Sequence, residues 1–166
     1  MSMFVALGVA LGFALNRIPN VELVTSTIFL SGYLLGISKG LAVGVVTEVL
    51  YSVLNPYGAA APPLLAAQVI SMGITGLAGG WFGSKRSGES NFLAWKCGFV
   101  GFSCTLFFDA LTTLSFVPIN HFSAKQLAAS VLLGGWFYTA HLLSNSAIFA
   151  VLLPAFIRTF QRQFPR

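Results

Sequence analysis

The sequence predicts an all-α integral membrane protein, a six-transmembrane-helix bundle with its N- and C-termini cytoplasmic, and three observations carry that prediction. Charged residues make up 8% of the 166-residue chain, against about a quarter in a soluble domain. Hydrophobic residues make up 56%, sixteen Phe among them, and the mean hydropathy is +0.83. The apolar stretches are continuous, which selects helices over the alternating pattern of a membrane barrel. Hydrocarbon leaves every backbone N–H and C=O to be paired within the chain, so no third architecture is open. The chain reads as a single membrane domain over residues 1–166.

The first helix is expected over residues 3–17. No base precedes it and no small-x-small cleavage site follows, so it reads as a retained helix and not as a signal-peptide core. Its apolar stretch of about thirteen residues is short of the roughly 20 that span a bilayer, so tilt, bilayer thinning or residues upstream must supply the difference. It ends at Ile18, because Pro19 disfavours helical geometry in the residue before it. Helices over residues 21–36 and 39–54 are separated by a tight turn carrying Gly36 and Gly40. Asn55, Pro56, Tyr57 and Gly58 open an irregular connection that closes on Pro62 and Pro63, where proline suits the start of the fourth helix, residues 63–83. Residues 84–91 form the frankly hydrophilic loop before the fifth helix, residues 92–117. The last segment, residues 124–161, is too long for one crossing, since at 1.5 Å per residue it would run about 57 Å. Counting about 20 residues back from Arg158 places the outer interface near Trp136. Residues 124–133 then form an outer helix or angled extension, with Gly134 and Gly135 as the break.

Charge orients the bundle. With the N-terminus in the cytoplasm, Lys39, Lys85, Arg86, Lys96, Arg158, Arg162 and Arg166 fall inside, and Arg17 and Lys125 outside. That is a firm positive-inside bias. Three of the four acids, Glu22, Glu48 and Asp109, fall on the outer side. The net charge of +5 comes from bases set singly or in pairs between apolar runs, without the basic stripe of a nucleic-acid binder. Cys97 and Cys104, seven apart, stack on one helix face and offer neither a disulfide framework nor zinc spacing. No phosphate-binding loop, HExxH or GxSxG motif is present, so the chain has no recognisable means to hydrolyse ATP or peptide bonds and reads as a non-enzyme.

Two sets of residues stand out. In the first helix Ala6, Ala10 and Ala14 recur at four-residue spacing, with Gly8 and Gly12 as a second row; small faces let helix backbones approach closely in lipid. The second set is polar. Ionisable groups within membrane helices are costly and usually functional, and Glu48 and Asp109 lie about 9 and 12 Å below the outer ends of their helices. A buried hydrogen bond to a neighbouring helix is the competing role for each. Gln68, one and a half turns into the fourth helix, can donate to and accept from a heterocycle. Tyr138, His141 and Asn145 share one face of the last helix, combining an aromatic wall with fixed polar groups as small-molecule pockets do. The outer connections add Asn20, Glu22, Asn55, Tyr57, Asn120 and His121. Asn20 also suits a cap on the second helix, and Asn55 the turn with Pro56. Trp81, Trp95 and Trp136 fall near helix ends as interfacial anchors. His141 with Ser144 is the nearest approach to a nucleophilic pair, but no orienting carboxylate is evident. Cys104 or a histidine could ligate a metal such as the cobalt of a corrinoid; no resident cofactor or metal is expected.

The alanine row of the first helix, the run Pro19, Asn20, Val21 and Glu22, the spacing of Gly32, Gly36, Gly40 and Gly44, the run from Asn55 to Gly58, and residues 141–145 followed by Pro154 together resemble the substrate-binding S component of an energy-coupling factor (ECF) type vitamin transporter. The resemblance spans most of the chain. It implies a high-affinity binding subunit of an ABC importer in a prokaryotic cytoplasmic membrane. Ala6, Ala10 and Ala14 would dock on a transmembrane coupling subunit joined to two cytoplasmic ATPases, while the later helices and outer loops hold a vitamin or related micronutrient. Transport would follow from toppling of the whole subunit. Ligand identity does not transfer with the resemblance, but the outer acids, set against Arg17 and Lys125, favour a neutral or cationic ligand over a strongly anionic one. The rivals are a self-sufficient permease or channel, disfavoured because few polar side chains line the inner half of the later helices, and an intramembrane enzyme using Glu48 and Asp109.

Overall fold

The computed structural model describes residues 1–85, 93–117 and 123–163. The described residues form seven helices and no strand: α1 (Ser2–Leu15), α2 (Val24–Leu35), α3 (Ile37–Val53), α4 (Pro62–Ser84), α5 (Leu93–Leu114), α6 (Ala124–Leu133) and α7 (Gly135–Gln163). Among them α4, α5 and α7 are long and apolar enough to cross a membrane, while α1, α2 and α6 are shorter apolar helices.

Each boundary has a local cause. Gly36, at φ 94°, separates α2 from α3, a left-handed backbone that a residue with a Cβ enters only with strain. Two prolines open α4, where their missing N–H groups are no loss. The long final segment divides at Gly134. Before the break, α6 is started by a capping box in which the Ser123 hydroxyl accepts from Gln126 N and the Gln126 side chain accepts from Ser123 N, satisfying two helix-end donors reciprocally.

Glycine sets the packing of α2, α3 and α4. A methyl group on Gly32 or Gly40 would strike the carbonyl of Gly76, so three backbones meet with no side chain between them. The second tight interface joins α5 to α7, where a Cβ on Gly101 would stand 2.7 Å from that of Phe149. Between these two units lies a buried aromatic cluster, with Phe29 of α2 edge-on to Phe82 of α4 at 5.7 Å and to Phe149 of α7 at 5.3 Å. Leu93, Cys97, Leu153 and Ile157 complete it. A smaller cluster of Val24, Ile28 and Met72, with Phe108 packed against it, sits nearer the other end of the bundle.

The two ends differ in charge. Gly80 abuts Ile37, Gly83 abuts Tyr33, and Gln161 donates to the Tyr33 hydroxyl at 3.2 Å. The C-terminal ends of α2, α4 and α7 are thereby gathered with the start of α3, bringing Lys39, Lys85, Arg158 and Arg162 to one end of the bundle. Lys85 there stacks over the Trp81 ring, 3.8 Å from its centroid. Arg86 and Arg166 lie outside the described residues. The start of α2, with Glu22 just before it, is at the opposite end.

Candidate ligand-binding site

Four polar residues from three parts of the chain are joined at that opposite end. His141 Nδ1 on α7 lies 2.7 Å from Asp109 Oδ1 on α5, with both side chains nearly buried. One turn further along α7, Asn145 donates through Nδ2 to Glu22 Oε1 at 2.9 Å. The other Glu22 oxygen accepts from Thr25 N at 2.9 Å, so this carboxylate caps the start of α2 and holds α7 at once. Glu22 is also within electrostatic range of His141 and of Glu48, the latter buried on α3. The ring of Phe108 meets His141 edge-on at 6.0 Å. Phe108 also packs against the buried cluster of Val24, Ile28 and Met72, so an apolar floor underlies the polar group.

Several buried atoms in this half of the bundle have no hydrogen-bond partner among the described residues. They include Asp109 Oδ2, Gln68 Oε1, Asn145 Oδ1 and Thr105 Oγ1. Buried polar atoms are otherwise almost always paired, and three of these four are pure acceptors. The arrangement therefore offers acceptors to a molecule that brings donors. Gln68 lies one turn before Met72, whose sulfur is 3.9 Å from the Thr25 hydroxyl, which places α4 on the same side of the bundle as the start of α2.

The remaining expectations fall out as follows. Tyr138 shares the α7 face with His141 and Asn145, but its hydroxyl lies 2.8 Å from Thr113 Oγ1 of α5. Asn20 does not cap α2; Leu23 holds the cap position and Glu22 supplies the side-chain acceptor. Asn20 instead takes φ 58°, and its carbonyl accepts from Ser144 Oγ at 2.5 Å. Asn55 Oδ1 accepts from Tyr57 N at 2.9 Å, and the Tyr57 side chain is 77% exposed, so this pair forms a turn following α3. Asn120 and His121 lie outside the described residues.

The carboxylate that was not evident for His141 is Asp109. The Ser144 hydroxyl, however, donates to the carbonyls of Asn20 and His141, which is a helix-face and loop tie and not the geometry of an activated nucleophile. Thr113 and Thr105 do not stand out in the sequence, and Ser144 stands out only as a neighbour of His141. The first two stand four residues either side of Asp109, a spacing that a search for polar faces on α5 would have found.

On α1 the two small-residue rows part company. Gly8 and Gly12 are buried against Thr47, Tyr51 and Val24. Ala6, Ala10 and Ala14 are exposed, and the first two line an apolar groove of about 520 Å³ with Val9, Ala42, Val46 and Leu50.

Residues 1–159 match the family model described as ECF-type riboflavin transporter, S component, and the chain belongs to that family. It is accordingly a multi-pass membrane protein, the substrate-binding S subunit of an ECF transporter and not an enzyme. No curated protein and no solved structure matches it.

Proposed function

We propose that this chain is the high-affinity riboflavin-binding subunit of an ECF-type importer in a prokaryotic cytoplasmic membrane, capturing its ligand from outside and energised by two partner ATPases. The observation that carries the reading is the convergence of Glu22, Asp109, His141 and Asn145 over the floor of Phe108, Met72, Ile28 and Val24. Riboflavin is uncharged, with a flat, largely apolar ring system, an N–H edge and a polyhydroxylated chain. The open acceptors of Gln68, Asp109 and Asn145 suit its N–H and hydroxyl donors, and the aromatic and aliphatic floor suits its ring.

The basic end faces the cytoplasm by the positive-inside rule, which sets the polar group toward the exterior and both termini inside. In this reading α1 to α5 and α7 are the six spanning helices, and α6 rests at the outer interface. The exposed Ala6, Ala10 and Ala14 give the coupling subunit a flat surface against which a partner helix packs closely.

The test is purification of the chain in detergent, with mass spectrometry of any retained small molecule and a titration that follows quenching of flavin fluorescence. Stoichiometric riboflavin bound at nanomolar concentration, with co-purification of a coupling subunit and ATPases, is the expected result. A chain that leaves flavin fluorescence unchanged at micromolar riboflavin would sink the ligand assignment, and one that transports riboflavin when reconstituted alone would sink the dependence on ATPases.

A further inference from the structure

We infer that the seam between α5 and α7 holds a monovalent cation, bound by oxygen atoms one helical turn below the pair of His141 and Asp109. The site is built from Thr105, Asp109 and Asn145 beside Glu22, and it does not depend on which molecule occupies the polar group above it.

The register of the two helices brings these residues together. Asp109 of α5 meets His141 of α7, and eight residues along each helix Gly101 meets Phe149. Residues four apart share a helix face, so Thr105 and Asn145 stand level with each other across the seam, midway between those two contacts. Both are buried, at 1% and 0% exposure. Yet Thr105 Oγ1 and Asn145 Oδ1 have no hydrogen-bond partner among the described residues, neither in each other nor elsewhere. The amide of Asn145 is held in place because its Nδ2 donates to Glu22 Oε1, which leaves Oδ1 as an open acceptor. Asp109 Oδ2, one turn above, is open as well, while its other oxygen is bound to His141. Buried polar atoms are almost always paired, and three open oxygens within one turn of each other call for a guest that all three can share.

Charge decides what that guest is. Glu22, Glu48 and Asp109 gather at this end, and Arg17 and Lys125, the bases placed outside with them, are exposed. Among the described residues only a protonated His141 faces the acids from within the bundle. Carboxylates in hydrocarbon need a counter-charge, and His141 supplies at most one. A bound water would satisfy the hydrogen bonds but leave the imbalance in place; a cation answers both. Hard cations take oxygen ligands, and a set of one carboxylate, one amide and one hydroxyl carries a single negative charge, which matches a monovalent ion. Among the described residues no three His, Cys, Asp or Glu side chains come together as a higher-valent metal would require. Below this level Phe29, Phe82 and Phe149 close the seam, so the ion enters from the outer end.

The experiment uses sodium as the probe and leaves riboflavin out. The thermal midpoint of the purified full-length chain in detergent is compared in sodium chloride and in N-methyl-D-glucamine chloride at equal ionic strength, alongside equilibrium binding of radiolabelled sodium. The wild type is set against Thr105→Val, which removes the oxygen and keeps the shape. Sodium at about ten times its dissociation constant should raise the wild-type midpoint by roughly 3–6 °C, with sodium bound in stoichiometric amount. In Thr105→Val the sodium response should vanish, while the midpoint in N-methyl-D-glucamine stays level or rises, because the hydroxyl that is lost has no partner there. General damage to packing would lower both midpoints together. A wild-type midpoint equal in the two salts with no sodium bound, or a full sodium response in Thr105→Val, would overturn the inference. Since no flavin is present, either outcome is separate from the fate of the riboflavin reading.

Discussion

Replacing Gly32 by Ala adds one methyl group where α2 crosses α4, and the structure shows what it meets. The new Cβ would strike the Gly76 carbonyl and stand 2.8 Å from Gly80 N. Ordinary van der Waals contact for a Cβ begins near 3.4 Å, so the helices must part by at least about 0.6 Å, and further where the methyl faces the carbonyl. Both obstacles are backbone atoms with no rotamer to yield. Overpacking in a well-packed core typically costs about 1–3 kcal/mol, and a rigid obstacle belongs at or beyond the upper end. The better helix propensity of Ala returns about 1 kcal/mol. The net loss is about 2 kcal/mol, which for a chain of this size lowers the thermal midpoint by roughly 4–8 °C. Because α2 follows directly on Glu22 and α4 carries Gln68, the same separation spreads the binding group, and riboflavin affinity should fall about tenfold or more, as small misplacements of positioned groups do. The assay is thermal unfolding in detergent by tryptophan fluorescence, alongside flavin titration, with Gly135→Ala as control. A methyl at Gly135 meets nothing within 4 Å and should leave the midpoint unchanged or raised. A Gly32→Ala protein with wild-type midpoint and wild-type affinity would refute the claim that these helices touch through their backbones.

Three further predictions concern the site and the partner face. Asp109→Asn removes the charge from the pair with His141, a bond of the class worth about 1.5–3 kcal/mol, and should weaken riboflavin binding about 10- to 100-fold; an undiminished affinity would show that the pair serves packing alone. Ser144→Ala cuts the tie from α7 to the Asn20 carbonyl, a neutral bond worth about 1 kcal/mol. It should raise the riboflavin dissociation rate about fivefold in stopped-flow measurements with little change in association, and a rate unaltered within error would remove the α1–α2 connection from ligand retention. Leu at Ala6, Ala10 and Ala14 together should abolish co-purification with the coupling subunit, since the close approach of helices depends on small side chains. Retention of the complex at wild-type yield would move the docking surface elsewhere.

The architecture was legible where composition and punctuation act locally. Continuous apolar runs required helices, and Gly36, the two prolines at 62 and 63, and Gly134 each mark a boundary that needs no partner to be read, whereas α1 ends at Leu15, ahead of the stop that Pro19 predicts. The excess length of the last segment announced its division into α6 and α7. Contacts between distant segments were less legible. Glu48, Asp109, His141 and Asn145 could be singled out because a polar group in hydrocarbon is expensive wherever it points. That His141 meets Asp109, and that Asn145 meets Glu22, depends on the rotation of α7 against α5 and α2, which one-dimensional spacing does not contain. Asn20 shows the limit most clearly. Its residue type suits a helix cap, yet the cap falls to Glu22, whose longer side chain reaches Thr25 N from one position before the cap while also holding Asn145. Likewise, the Ala and Gly rows of α1 look alike as motifs; only the three-dimensional packing assigns one inward and the other outward.

That outward row has a consequence for how binding and transport are joined. α1 is fixed to the bundle by Gly8 against Thr47 and by Gly12 against Tyr51 and Val24, so its exposed alanines sit on the same rigid unit that carries Glu48 on α3 and leads into Glu22 through the α1–α2 connection. The opposite wall belongs to α5 and α7, which pack tightly on each other. Above the aromatic cluster, Asn145 to Glu22 and Ser144 to Asn20 tie this wall to the first unit. A ligand bridging Gln68 and Asp109 would add a bond across the same seam. Under the proposed function, ligand occupancy and the exposed face of α1 report to one interface, and the energy of each bond across it limits how far one can influence the other. With one neutral-to-charged hydrogen bond of about 1.5–3 kcal/mol and one neutral bond of about 1 kcal/mol spanning the seam, a ligand that contributes a comparable pair of bonds can shift the balance between an open and a closed seam about 100- to 1,000-fold. Under the proposed function, that would be enough for a coupling subunit to distinguish loaded from empty chains without any group in the inner half of the bundle changing charge.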